Sequence, residues 1–256
     1  MTTAARPDRE VSEVDIVSKA ASAIFALEAD GELTAHQIAE RVGEPVSSTY
    51  RLLAQLTLLG WVERGSRRGL FRLGVMFLRI GGVVEDRIDI RQAALPCLDA
   101  VVRQTGASSF LCVRRGDRAV QIERREGLDV RSLAMRMGDS LPLHSGAAAM
   151  AILSFLPQGE RESYLDRLGA ENGRFLARAI AAEIELVRER GYSCSDGEVT
   201  PGIAAIGAPI YNHRGELEAS LAVSGLRHRI LDDVNDTSTI IGQAAQGVSA
   251  ALGYEA

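Results

Sequence analysis

Lysine is nearly absent from this chain: Lys19 is the only one among 29 basic side chains in 256 residues. That bias toward arginine reflects codon usage as much as function. Cysteine is scarce too. Cys97, Cys112 and Cys194 are odd in number and form no paired motif, which argues against a disulfide framework and for buried thiols in a reducing cytoplasm. No apolar run approaches the ~20 residues of a membrane-spanning helix, so a membrane partner is not expected. Residues 1–10 are polar and hold no apolar signal core, so export is not expected either, and residues 1–9 read as disordered. Hydrophobic residues make up 46% of the chain, enough for one large core or two ordinary ones. There is no internal repeat and no low-complexity segment.

Groups for chemistry are also missing. The four histidines are His36, His144, His213 and His228. No two have metal-ligand spacing, and none has a cysteine beside it. His144 and Ser145 adjoin, but no strand–turn–helix elbow surrounds the serine. Gly81-Gly82 and Gly106 lack the neighbours of a phosphate-binding loop. No metal, no cofactor and no catalytic residue is expected. An enzyme with an appended DNA-binding module is the alternative these absences oppose.

What is present centres on Thr34 to Leu73. Thr34 and Gln37 form a capping box for a short helix carrying Ile38, Ala39 and Val42 on one face. Gly43 and Pro45 make the turn, Ser47 is the expected cap of a second helix, and Gly60 suits its C′ position. At 100° per residue, Thr49, Leu52, Leu53, Leu56 and Leu59 share one face, while Ser47, Ser48, Arg51 and Gln55 share the other. That pattern matches a recognition helix for a DNA major groove. Trp61 to Arg64 and Leu70 to Leu73 read as two strands around a basic loop with Arg67 and Arg68, so the unit is a winged helix-turn-helix. The net charge of −5 looks wrong for a DNA partner, yet residues 41–73 hold six arginines against Glu44 and Glu63, a local +4. Local charge governs phosphate contact, because fields are screened beyond about 8 Å. A plain core fragment of two helices and a hairpin is the competing reading.

Elsewhere the periodicity predicts a helix from Glu13 to Leu27 with a buried stripe of Val14, Val17, Ala21, Ile24 and Leu27. It predicts a linker helix from Val75 to Glu85 with Val75, Phe77, Leu78, Val83 and Val84 apolar, packed on a second copy or on the chain's own C-terminal part. Helices follow at Ile90 to Thr105 (Pro96 a possible kink), His144 to Leu156, Phe175 to Arg190, and from an Asp232 cap to Leu252. Strands are predicted at Ser108 to Arg114, Ala119 to Glu126, Val130 to Ala134, Ile203 to Tyr211 and Glu216 to Ser224. This mixture gives an α+β class with a mainly antiparallel sheet. The expected domains are 10–74, 75–88 and 89–256. Gly138 to Ala149 is a loop ending in a helix whose first turn bears only tiny side chains. It offers either an anion seat on free N–H groups or close helix packing on a sheet.

Several stretches together resemble the isocitrate lyase regulator (IclR) family of bacterial transcription factors: Glu44 to Leu53, Phe71 to Gly74, Gly138 to His144, Arg188 to Tyr192, Pro201 to Ile210 and Ala222 to Gly225, in the family's order and spacing. The resemblance spans about Val11 to Leu252. It implies a winged helix-turn-helix, a linker helix and a GAF-like effector-binding domain. It implies homodimers or homotetramers on a palindromic double-stranded operator, most often as repressors of catabolic operons answering to a small organic or aromatic acid. DNA contacts then fall on Thr34, Pro45, Ser47, Ser48, Thr49, Arg51, Arg67 and Arg68. Effector contacts fall on Ala147, Ala148, Ser195, Ala205, Ala222 and Ser224. The sequence departs from the family where Ala149-Met150 replaces a Gly-Lys pair, and where Ser195, Ala205 and Ala222 replace more polar groups. Val46 replaces a basic residue in the DNA helix. The pocket changes imply a larger, more apolar guest fixed by Ser224 and the helix-start N–H groups, or a domain that only oligomerises.

Overall fold

The computed structural model describes residues 8–85, 89–128 and 136–255. Its contacts divide it into two compact units that meet in sequence at residues 87 and 88. The strand expected at 130–134 and the disorder expected at 1–7 lie outside the described residues. Asp8 and Arg9, expected to be disordered, belong to the first helix.

The first unit runs α1 (Asp8–Asp30), β1 (Leu33–Thr34), α2 (Ala35–Val42), α3 (Val46–Leu58), β2 (Val62–Arg64), β3 (Leu70–Leu73) and α4 (Met76–Glu85). The capping box forms: the Gln37 N–H donates to Thr34 Oγ1, and the Thr34 N–H donates to Gln37 Oε1. Gly43 ends α2 in the left-handed region at φ 72°, a conformation other residues rarely hold. The strands form a small antiparallel sheet in the order β1-β3-β2; the short β1 escaped the sequence reading because two residues carry no periodicity. The core is Leu27, Leu33, Ile38, Leu53, Leu56, Val62 and Phe71, with alanines of α1.

The stripe expected on α1 is corrected. Ala20, Ala23, Ala26 and Leu27 face the core, whereas Val17 is 70% exposed. Small side chains let α1 approach α2 closely, so burial followed the alanines rather than the larger apolar residues. Leu59 is also exposed, because it caps α3 and lies past its last turn. The base of the wing grips the start of α4. Gly74 donates its N–H to the Trp61 carbonyl, Val75 donates to Glu63 Oε1, and Trp61 and Phe77 rings sit 6.2 Å apart. A Cβ on Gly74 would lie 2.1 Å from the Gly60 carbonyl oxygen, so only glycine fits. Further along α4, Leu78 is exposed; the Val14, Val83 and Val84 side chains lie outside the described set.

The second unit runs α5 (Ile90–Thr105), β4 (Ser108–Arg115), β5 (Arg118–Arg125), β6 (Ser140–Pro142), α6 (Ala147–Phe155), α7 (Gln158–Asn172), α8 (Arg174–Arg190), β7 (Ser193–Asp196), β8 (Ile203–Tyr211), β9 (Leu217–Leu226), α9 (Arg227–Leu231) and α10 (Val234–Ala251). Six strands form one antiparallel sheet in the order β6-β5-β4-β9-β8-β7. One face packs on α5 and α10 through Leu98, Val101, Leu111, Ile206, Ile210, Leu221, Ile241 and Val248. The other packs on α6, backed by α7 and α8. Pro96 sits inside α5 without ending it. Asp233, not Asp232, caps α10, its carboxylate accepting the Asp236 N–H. Helix α7 and strands β6 and β7 were not expected, because α7 is polar on average and the strands are three and four residues long.

Helix α6 is seated unusually close to the sheet. A Cβ at Gly207 would lie 2.8 Å from the Ala147 carbonyl oxygen. Ser193 donates its hydroxyl to the Ala147 carbonyl at 2.6 Å, and Ser220 to the Ala148 carbonyl at 2.8 Å. Gly207→Ala is therefore expected to destabilise the protein by about 1–3 kcal/mol through overpacking. Gly159→Ala, where nothing stands within 4 Å, is expected to be neutral or to stabilise by up to ~1 kcal/mol. Denaturant unfolding of the two variants beside the parent protein checks both.

Candidate functional site

Two sites stand out, one in each unit. In the first, α3 buries Thr49, Leu53 and Leu56 and turns Ser47, Tyr50, Arg51 and Gln55 outward. Two expectations need correction here, on Ser47 and on Thr49. Ser47 is not the cap: α3 starts at Val46, Pro45 is the N-cap residue, and no side chain accepts a bond there. Proline with φ −57° pre-sets the chain for a helix start, so no cap was needed. Thr49 is 1% exposed and donates its hydroxyl to the Pro45 carbonyl, which removes its side chain from any DNA surface. Thr34 is half-buried, and both its N–H and its hydroxyl go to Gln37. The remaining surface has Pro45 and Ser47 exposed at the helix start, Ser48 half-buried, and Arg51 exposed with Nη2 3.4 Å from Ser48 Oγ. Tyr50, 53% exposed beside Arg51, was missed because an aromatic ring reads as core.

The wing is shaped by an acid outside the motif. Glu32 accepts the Ser66 N–H at 2.8 Å and the Ser66 hydroxyl at 2.6 Å. These bonds hold its carboxyl below the ordinary range, aided by the nearby Arg72 and Arg67 charges. Arg67 and Arg68 follow at the exposed tip. Other arginines of the basic stretch serve the fold: Arg41 pairs with Asp30 at 2.8 Å, Arg72 with Glu63 at 3.5 Å, and Arg64 lies 4.6 Å over the Phe71 ring. The local +4 thus reduces, at the outer surface, to Arg51 and the wing tip.

In the second unit a cavity of about 60 Å³ opens beside α6, inside a wider recess of about 660 Å³ that includes open solvent. Five of the six residues expected to touch an effector line it: Ala147, Ala148, Ser195, Ala205 and Ser224. Ala222 does not. It is fully buried and paired with Gly207 and Phe110 in the sheet, under the start of α6. Of the two readings of the small-residue helix start, the close packing is seen, since Ala147 packs on Gly207; Ala147 also lines the cavity. At that helix start one of the chain's own carboxylates is already present: the N-cap Gly146 N–H donates to Glu198 Oε2 at 3.1 Å. Glu198 comes from the β7–β8 loop, whose Val199 and Thr200 also line the cavity. The loop is pinned by Arg227, which binds Asp196 with its guanidinium and the Gly202 carbonyl with its N–H.

Two polar lining residues, Gln121 and Arg124, escaped the sequence reading. Strict alternation puts positions three apart on opposite faces of a strand. A bulge opposite Leu111 and Cys112 resets the alternation: Leu111 pairs with Glu123, and Cys112 with Gln121. Glu123 and Arg125 then face α5, where Arg91 and Arg125 bind the Glu123 carboxylate and Arg125 binds Asp99. Burial acts to raise the Glu123 carboxyl, but the Arg124 N–H and the two guanidinium groups outweigh it and hold it low. Gln121 and Arg124 are left on the cavity side. Among the described residues no cluster of His, Cys, Asp or Glu could hold a metal ion. Burial pushes the Cys112 thiol up to about 12, so it is no nucleophile at neutral pH.

A helix-turn-helix with a strand-paired basic wing defines a winged-helix DNA-binding protein. The family comparisons carry this further. The profile of the IclR helix-turn-helix domain matches residues 17–66, and that of the bacterial transcriptional regulator IclR C-terminal domain matches residues 83–250. The chain belongs to the IclR family of DNA-binding transcriptional regulators. It is 32% identical over 227 residues to the HTH-type transcriptional regulator KipR of Bacillus subtilis, covering 87% of this chain and 90% of that protein. It is 30% identical to XynR, another HTH-type transcriptional regulator, of Escherichia coli, covering 88% and 91%. Among solved structures, the Agobacterium tumefaciens repressor BlcR superposes with a TM-score of 0.78 at 26% identity, covering 95% of this chain and 99% of that one. No described helix is long and apolar enough to cross a membrane.

Because Glu32 clamps the wing, Glu32→Gln is expected to speed amide exchange at Ser66 while α2 and α3 stay protected. The sign with pH follows from the lowered carboxyl. The clamp is complete above the ordinary carboxylate range near 4.5 and is lost as pH falls through the lower folded value. Exchange at Ser66 read across acid pH, alongside the variant, tests both.

Proposed function

We propose that this regulator is an effector-responsive repressor of a catabolic operon, acting in the cytoplasm as a homodimer or homotetramer on a palindromic operator. The observation that carries the reading is the pairing, in one chain, of an outward Arg51 and a clamped arginine wing with a lined cavity in a separate unit. Residues 10–74 are assigned to DNA, 75–88 to the linker, and 89–256 to effector binding and oligomerisation. Two recognition helices of a dimer would enter major-groove faces about one turn, ~34 Å, apart. Pro45, Ser47, Ser48, Tyr50 and Arg51 are assigned to bases and flanking phosphates, and Arg67 and Arg68 to the backbone beside them. Arg51 is the residue suited to a guanine edge, because a guanidinium can bind two acceptors at once.

The effector side rests on Ala147, Ala148, Ser195, Ala205 and Ser224 around the cavity. Its lining is mostly apolar, with few polar groups, the balance found in small-molecule sites. The α4 segment is assigned the coupling role, because its start is bonded to the base of the wing. By linkage, an effector that weakens operator binding must itself bind the DNA-loaded protein less well.

Arg51→Ala is expected to lose about 1–3 kcal/mol of operator affinity and to relax specificity at one position. Arg67→Ala should weaken binding evenly across sequences and lower the salt slope by about one. Fluorescence anisotropy at several salt concentrations, on an operator selected from random DNA, measures both; unchanged affinity in Arg51→Ala sinks the base-reading role. An effector at 100 times its dissociation constant should add about 2.7 kcal/mol to stability. A thermal-shift screen with organic and aromatic acids reads this, and silence across the screen would favour a domain that only assembles.

A further inference from the structure

We infer that the cavity takes a guest with a carboxylate at one end, received by Gln121 and Arg124 of β5, and an apolar body lying along Phe110, Leu141 and Ala148. The inference rests on the reading of this cavity as the effector site. Gln121 is 2% exposed and lines the cavity, and its Nε2 has no partner. Buried N–H donors are rarely left in that state, and an oxygen brought by a guest would pair it. Arg124 lines the same cavity, with Nε and Nη2 shut off from solvent. A guanidinium shielded from water favours an anion more strongly than one at the surface, and its planar fork suits a carboxylate. The bulge that brings both side chains to one face is locked from behind by the Arg91–Glu123–Arg125 cluster.

The rival seat already has a carboxylate of the chain itself beside it. At the start of α6 the Gly146 N–H holds the Glu198 carboxylate, and a Cβ on Gly146 would lie 3.0 Å from Val199 Cγ2. A second carboxylate placed there would meet a like charge. The acid end of the guest therefore belongs on β5, and the hydroxyls of Ser195, Thr200 and Ser224 are left for a second polar group or for none.

The test uses the full chain and three probe acids, benzoate, phenylacetate and 4-hydroxybenzoate, each beside its neutral amide. Binding is read by thermal shift and calorimetry in the parent, Arg124→Gln and the near-isosteric Gln121→Glu, with Gln121→Leu as a further variant should the charged one fail to fold. The expected result is that at least one acid binds tenfold or more tighter than its amide. Arg124→Gln should erase that preference by weakening the acid tenfold or more beyond any loss for its amide, a split that a merely structural role would not produce. Gln121→Glu should weaken the acid at least tenfold. Acids that bind no better than amides, or that keep their preference in Arg124→Gln, overturn the inference and leave the effector reading standing. A cavity that takes neither acids nor amides overturns both.

Discussion

The seating of α6 on the sheet is the contact on which the second unit depends. Gly207 leaves no space for a side chain, and the Ser193 and Ser220 hydroxyls hold the Ala147 and Ala148 carbonyls. Such hydroxyl bonds satisfy groups that burial would otherwise leave unpaired. With the helix start pressed to β8 and β9, the space beyond it toward β5 stays open, bounded by Phe110, Leu141 and the β7–β8 loop. The cavity is thus the remainder of a close packing rather than a gap in a loose one.

In the first unit the equivalent constraint is electrostatic and local. A short wing has little core of its own, and its order comes from bonds at its two ends. At the tip, Glu32 binds the backbone and hydroxyl of Ser66; at the base, Gly74 and Val75 donate to Trp61 and Glu63. Both acids lie outside the basic surface they support. Carboxylates so placed order the arginine-bearing loop without pairing with every one of its arginines. A wing ordered beforehand loses less conformational entropy when it meets DNA.

The same economy runs through the arginine-rich composition. Arg41, Arg64, Arg72, Arg91, Arg125, Arg167 and Arg227 are engaged in ion pairs or over a ring. Exposed pairs of this kind add little stability each. Their value lies in geometry, as with Arg227 pinning the loop that carries Glu198, and Arg91 and Arg125 bracing the bulge of β5.

By itself the sequence determined the elements whose signals are local. Thr34 and Gln37 announced α2, Gly43 and Pro45 the turn, Gly60 the end of α3, and the alternation in 108–125 and 203–226 the central strands. Those signals work because capping, left-handed glycine and side-chain periodicity involve residues within a few positions of each other. Five of the cavity residues were legible for a related reason, since they sit in, or within a few positions of, stretches shared with the family. The tertiary structure decided what depends on partners far along the chain. Thr49 and Ala222 became buried, α1 turned its alanines rather than Val17 to the core, and Glu198 took the helix start 52 residues away from it. A one-residue bulge put Gln121 and Arg124 on a single face, which alternation alone forbids. Burial and charge pairing are settled between elements, and no local pattern records which elements will meet.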